Sequence, residues 1–362
     1  MRTETIHQQV QVTMLSITIN NPYKLTIVME QQNAQSLFFQ QIKALLPPHL
    51  SVADEIARVL NISTDSAYRR IRGEKPISFE DIRKLGSTFK ISIDQFLHLH
   101  TNGFMFTGNL GYAHDDFVDQ YLNNMKQQFE FMLSFDHKHI YFLPNDIPPF
   151  AYFQFPELAA FTFFYYKKSL LHFDEMKDHK FSVNDINDDQ VKLGKKVQSS
   201  FNQIPTTEIW SIDTINSILR HIAFYRETNV FKTNDDITCL YEKLEELINY
   251  IEKQAELGLK FNVGELPGKN AASFRMYQND LITGDNCVLA EIGSNKIAYI
   301  NHNLINFMFT RNEEFTAHTF NTFQNAIQKS TQISLVGEKA RANFFAQLRK
   351  KILAHKEAIN RY

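Results

Sequence analysis

Cysteine is almost missing from this chain: Cys239 and Cys287 are the only two among 362 residues, far apart and without a CxxC spacing. That usage gives no basis for a disulfide framework or a structural zinc site, and it suits a reducing cytoplasm. Charge of one sign is missing too. The net charge of −2 means the chain is no polycation that coats nucleic acid indiscriminately, so any DNA contact must be local. Long apolar runs are absent: the nearest approach to the roughly 18 residues of a membrane span, Phe150 to Phe173, is broken by Pro156, Glu157, Lys167 and Lys168. At the N-terminus, Arg2 and Glu4 are followed by Gln and Thr, with neither the apolar stretch nor the cleavage site of a secretory leader. A cytoplasmic protein without a membrane partner is expected.

Catalytic signatures are equally scarce. No GxSxG, Walker loop, GxGxxG or HExxH occurs. Cys239 falls in an acidic helical stretch with no spaced histidine, and no carboxylate is positioned by sequence beside His137, Lys138 and His139. The Asp-rich run Asn184 to Gln190 lacks the glycine and terminal glutamate of a calcium loop and reads as a solvated loop. Neither enzymatic activity nor a cofactor or metal is expected.

What is abundant is aromatic. There are 32 Phe and 14 Tyr against a single Trp, within a 43% hydrophobic composition, which predicts bulky cores or an apolar cavity. The stripe Phe150, Phe153, Phe155, Phe161, Phe163, Phe164, Tyr165 and Tyr166 is too wide for one helix face and implies burial on several sides, in a core before a cavity. Length alone predicts two or three domains.

The fold expected is mainly α: a five-helix helix-turn-helix DNA-binding domain, then a larger helical region ending in a small α+β segment. Residues 1–33 read as a flexible N-terminal arm, or as sequence upstream of a start at Met29. Between residues 34 and 100 stop signals are dense. A helix over Ser36 to Leu46 ends at Pro47 and Pro48, and Ser51 opens a second with Val52, Ile56, Val59 and Leu60 at helical spacing. A third runs from Thr64 to Arg72 and closes at Gly73, while Ser78 with Asp81 and Ser92 with Gln95 open the fourth and fifth. Residues 101–111, with three glycines, read as a linker, residues 112–265 as a helical domain with a short strand at His139 to Leu143, and residues 266–362 as the α+β segment, whose period-two stretches from Ser273 to about Phe307 predict a small antiparallel sheet. Its last helix carries a surplus of five positive charges, placed to pack by Phe344, Phe345, Leu348 and Ile352 or to meet the acids around Glu242 and Glu252.

The stretch SVADEIARVLNISTDSAYRRIRGEKPISFEDIRKL, Ser51 to Leu85, resembles the helix-turn-helix of Cro/repressor-type (Xre-like) regulators, and more closely the BetR-type N-terminal domain. That resemblance implies a third helix entering the DNA major groove. Helical spacing sets Ala67 and Ile71 inward and groups Asp65, Arg69 and Arg72 on the other face, flanked by Ser66 and Tyr68. Asn61 stands where the family usually has Gly, and Arg70 where an apolar residue is common. Arg69 and Arg72 are the expected base readers, since a guanidinium bonds guanine O6 and N7 bidentately. Ser63 and Thr64 are placed to hold a phosphate, Tyr68, Arg70 and Lys75 to position or steer, and Asp65 to read cytosine or exclude wrong sequences.

The function expected is a sequence-specific transcription regulator on double-stranded DNA. Its C-terminal region would form a homodimer and sense a small-molecule or protein effector. The alternatives are a protein-interaction adaptor with a vestigial helix-turn-helix, and a DNA-tethered enzyme.

Overall fold

A computed structural model describes residues 34–91, 93, 103–108, 116–281, 286–302 and 305–358. They belong to two compact units, Met1–His100 and Thr101–Tyr362. The expected arm over 1–33, the fifth helix opening at Ser92 and much of the expected linker lie outside the described residues.

In the first unit, four helices follow the predicted punctuation: α1 (Ala34–Leu45), α2 (Val52–Leu60), α3 (Thr64–Ile71) and α4 (Phe79–Phe89). Ser51, Ser63 and Ser78, each in extended backbone, accept the amide N–H three residues on, from Asp54, Ser66 and Asp81. Each such bond satisfies an otherwise orphan donor and contributes about 1 kcal/mol. Between α2 and α3 the chain turns at Asn61, whose φ of 55° lies in the left-handed region and whose N–H bonds Ala57 O. Asparagine enters that region more readily than other side chains, so it does the work of glycine here. Phe38, Phe39 and Ile42 of α1 pack on Ile56, Ala57 and Leu60 of α2, Ala67 of α3 and Leu85 of α4.

The second unit overturns the expected helical region with a small α+β end. Among the described residues it is built on one eight-stranded mixed sheet whose strands enter along its whole length. They are β1 (Thr107–Gly108), β2 (Lys138–Leu143), β3 (Thr206–Trp210), β4 (Phe274–Gln278), β5 (Cys287–Ile292), β6 (Asn295–Asn301), β7 (Phe307–Thr310) and β8 (Thr331–Gln332). Their order is β1-β7-β6-β5-β2-β3-β4-β8. The β2–β3 and β3–β4 pairs are parallel and the other neighbours antiparallel. A parallel pair needs a long crossover, usually helical, and helices between β2 and β3 and between β3 and β4 supply it. Within the expected linker, Thr107 and Gly108 pair with Phe309 and Met308 as an edge strand.

Helices cover both faces of this sheet. Ile140, Phe142, Trp210, Met276, Ala290 and Ile297 face the main core. It is filled from α5 (Phe117–Leu133), α6 (Pro156–Tyr165), α7 (Asp188–Phe201), α8 (Asn216–Glu227), α9 (Asn234–Leu257) and α11 (Glu338–Glu357). On the opposite face, Leu143, Ile209, Leu289 and Ala298 meet Phe323 and Ala326 of α10 (Glu313–Gln328). The alternation of side chains along each strand separates these two cores.

Several local readings change with the sheet. The Asp-rich run taken for a solvated loop leads into α7: Asn187 caps it by accepting from the Asp189 and Gln190 amides, and the acids favour the positive end of the helix dipole. Of the aromatic stripe, seven members are buried and Tyr165 is half-buried. The C-terminal helix packs by Phe344, Phe345, Leu348 and Ile352, and its cations pair onto α9 at Arg349–Glu252 (2.5 Å) and Lys356–Glu242 (2.9 Å). His139 bonds Thr207 Oγ1 across β2 and β3 at 2.9 Å. Among the described residues no helix is long and apolar enough to cross a membrane.

Candidate nucleic-acid interface

Helix α3 is short, and its two sides differ in kind. Ala67, fully buried, is small enough to let α3 approach α2 closely, and Ile71 packs beside the same core. On the outer side Asp65, Tyr68, Arg69 and Arg72 are exposed. The side chains of Arg69 and Arg72 are each 54% exposed. This is the segregation that a helix packed on one side and free on the other requires.

Arg70 goes inward instead of joining them. It is 8% exposed, donates from Nη1 to Ser66 Oγ at 2.6 Å, and holds Nε 3.6 Å from Asp81 Oδ2. Asp81 also completes the reciprocal cap of α4, accepting from Ser78 N at 3.1 Å. One carboxylate thus fixes the start of α4 and answers a buried cation from α3. Arg70 and Ser66 therefore lock the helix in place, which explains why a cation sits at a position where the related pattern is apolar.

Glu74 governs the two outward arginines. Its carboxylate accepts two bonds from Arg72, Nε to Oε1 at 2.6 Å and Nη2 to Oε2 at 3.1 Å. Arg69 Nε lies 3.7 Å from the same group. The hydrogen bond from Arg72 holds the Glu74 carboxyl below its ordinary range and raises the guanidinium. An exposed pair of this kind is screened by water and salt, so a competing acceptor displaces it readily. Arg69, Arg72 and Lys75 outnumber Asp65 and Glu74 on this exposed surface.

The hydroxyls at the helix start already have partners. Ser63 Oγ is spent on the cap, and Thr64 Oγ1 donates to Asp54 Oδ1 at 3.3 Å. The Thr64 and Asp65 amides precede the first intrahelical bond, made by Ala67 N to Ser63 O, and so face outward as donors for a phosphate. Beyond the helix, Gln35 of α1 clamps the turn: Nε2 donates to Arg70 O and Lys75 O, both at 2.7 Å, and Oε1 accepts from Ile77 N at 3.0 Å. Lys75 is held by its backbone while its side chain stays exposed.

Gln35, Glu74 and Asp81 were not among the residues expected from sequence. Glu74 was detectable, two places after Arg72. Gln35 lies 42 residues from Ile77 in the chain, and no local pattern marks that contact. Phe79, at the first turn of α4, is 91% exposed.

No curated protein and no solved structure matches this chain. Residues 33–130 match the model of the BetR domain, a helix-turn-helix-type domain family, and that match supports a DNA-binding regulatory role in general terms.

Proposed function

We propose that the chain is a sequence-specific transcription regulator whose N-terminal unit reads double-stranded DNA with Arg69 of α3 and Arg72 at its C-cap. The observation that carries this reading is the pair of outward guanidinium groups on a helix whose other side is fixed by Ala67 and by the Arg70–Asp81 pair. Bidentate bonding to guanine would select bases, while Lys75 and the amides at the helix start hold phosphates. One such module buries little surface, so a homodimer reading two half-sites about one helical turn apart is part of the proposal. The C-terminal unit would supply the pairing and sense an effector.

The test is recovery of bound genomic fragments, followed by titration of the enriched duplex across salt. A defined motif with an affinity that falls steeply with salt supports the reading. Recovery of random fragments, or unchanged affinity in both Arg69→Ala and Arg72→Ala, defeats it. The exposed Phe79 favours a second reading, an adaptor that uses this unit to bind protein. In that case Phe79→Ser abolishes partner capture and no duplex is bound at any salt.

A further inference from the structure

The aromatic part of the C-terminal unit encloses a cavity of about 340 Å³. It is bounded by the end of β2 and its Pro-rich exit loop, by α5, α6 and α8, and by the facing ends of β5, β6 and β7. A volume of that size is in the range of sites for small organic ligands and far above the roughly 30 Å³ share of one water. Tyr165 and His221 line it as a stacked pair, centroids 3.8 Å apart and planes 21° from parallel. Stacked face to face, the pair leaves only its outer ring faces as flat surfaces on which a third ring can lie.

Two polar groups on the wall have no use among the described residues. The buried Oδ1 atoms of Asp146 and Asn301 have no hydrogen-bond partner. Orphan buried groups cost stability, and native chains seldom keep them without a purpose. The two acceptors are also gathered together. Asn286 Oδ1 accepts from the Asn145 and Asp146 amides at 2.8 and 3.3 Å, fixing the Asp146 loop beside β5. Extending the Val288–Tyr299 register two residues sets Asn286 opposite Asn301.

Charge narrows the ligand. Burial pushes the His221 imidazole down to about 4, so it is neutral at pH 7. Arg220 lies at the exposed rim and donates to Ser217 Oγ at 3.1 Å. Asp146 is then the charge set into the wall beside a second acceptor. A carboxylate ligand would be repelled there, and a quaternary ammonium has no N–H to give. A cation with N–H donors and a flat apolar body satisfies the acceptors and extends the aromatic stack together.

We propose that this cavity is the chain's effector site and takes a small aromatic amidine or primary amine, the cationic end at Asp146 and Asn301 and the ring against an outer face of the Tyr165–His221 stack. Its role as an effector site rests on the regulator reading, whereas the binding itself does not.

The test titrates the full chain at pH 7 with benzamidinium, benzamide and benzoate, probes of one shape and three charges. Benzamidinium is expected to bind at least about tenfold tighter than benzamide, and benzoate not at all. Asp146→Asn lowers benzamidinium affinity about tenfold or more. Ser217→Trp, growing into the cavity from its rim, removes binding while circular dichroism and melting stay unchanged. Benzoate binding as well as benzamidinium, binding undiminished in both variants, or no benzamidinium binding up to about 10 mM overturns the assignment. Duplex binding is measured separately on the same preparations. A chain that holds duplex but no probe sinks the binding site alone, and one that holds probe but no duplex sinks the regulator reading and the effector role with it, while the binding stands.

Discussion

Glu74 sits where a phosphate or a base edge would compete for the same two guanidinium groups. Glu74→Gln removes that competitor and one negative charge, so duplex affinity is expected to rise several-fold, most at low salt where exposed charges are least screened. Fluorescence anisotropy across a salt series checks it, and an affinity that falls instead would mean that the carboxylate orients the arginines for reading. Asp81 carries a different burden, because it caps α4 and faces a cation that is nearly out of water. Asp81→Ala is expected to cost about 2–4 kcal/mol, between the loss of a cap and the stranding of a buried charge. Arg70→Met removes the charge itself and should stay within about 1 kcal/mol of the parent. Urea unfolding of the two variants gives the comparison, and equal losses would show that the ion pair is no asymmetric lock.

Among the elements, the turn between α2 and α3 is set by one residue. Asn61→Ala forces a less tolerant side chain into the left-handed region and is expected to cost about 1–2 kcal/mol, with Asn61→Gly near neutral; thermal melts decide, and an innocuous alanine would mean that the turn can relax. That turn, the serine caps and the α3 packing face were legible because each is a local signal within four residues. The sheet was not. β3 reads TTEIW, and all five residues are buried. With both faces covered, the polar alternation that betrays a half-exposed strand disappears. β1 and β8 are two residues each, too short to carry any period. Glu208, buried in β3, looks in sequence like a solvent-facing residue. It is instead bonded by Trp210 Nε1 at 2.8 Å and Thr206 Oγ1 at 3.2 Å. Lys260, from outside the strand, donates to Phe201 O and Ile204 O at 2.8 and 3.1 Å. Burial raises the carboxyl and lowers the ammonium, and each charge opposes the other's shift.

At the scale of the molecule, two half-hidden imidazoles tie stability to pH. Burial lowers both His139 and His221 to about 4, against about 6.5 in the unfolded chain. The unfolded state then binds more protons between those limits, so stability is full above about pH 6.5 and declines as pH falls to about 4. Each histidine contributes on the order of 2 kcal/mol to that decline. Urea midpoints at pH 7 and pH 5 should differ, and the double variant His139→Gln/His221→Gln should flatten the difference. A slope unchanged by the double variant would assign it to other groups.

The grip of Gln35 on the backbone beyond α3 has a practical corollary. A purification tag or cleavage scar spliced at residue 34 would abut the amide that braces the segment after α3. On the regulator reading, a form shortened to that point would keep its melting temperature while losing discrimination between operators.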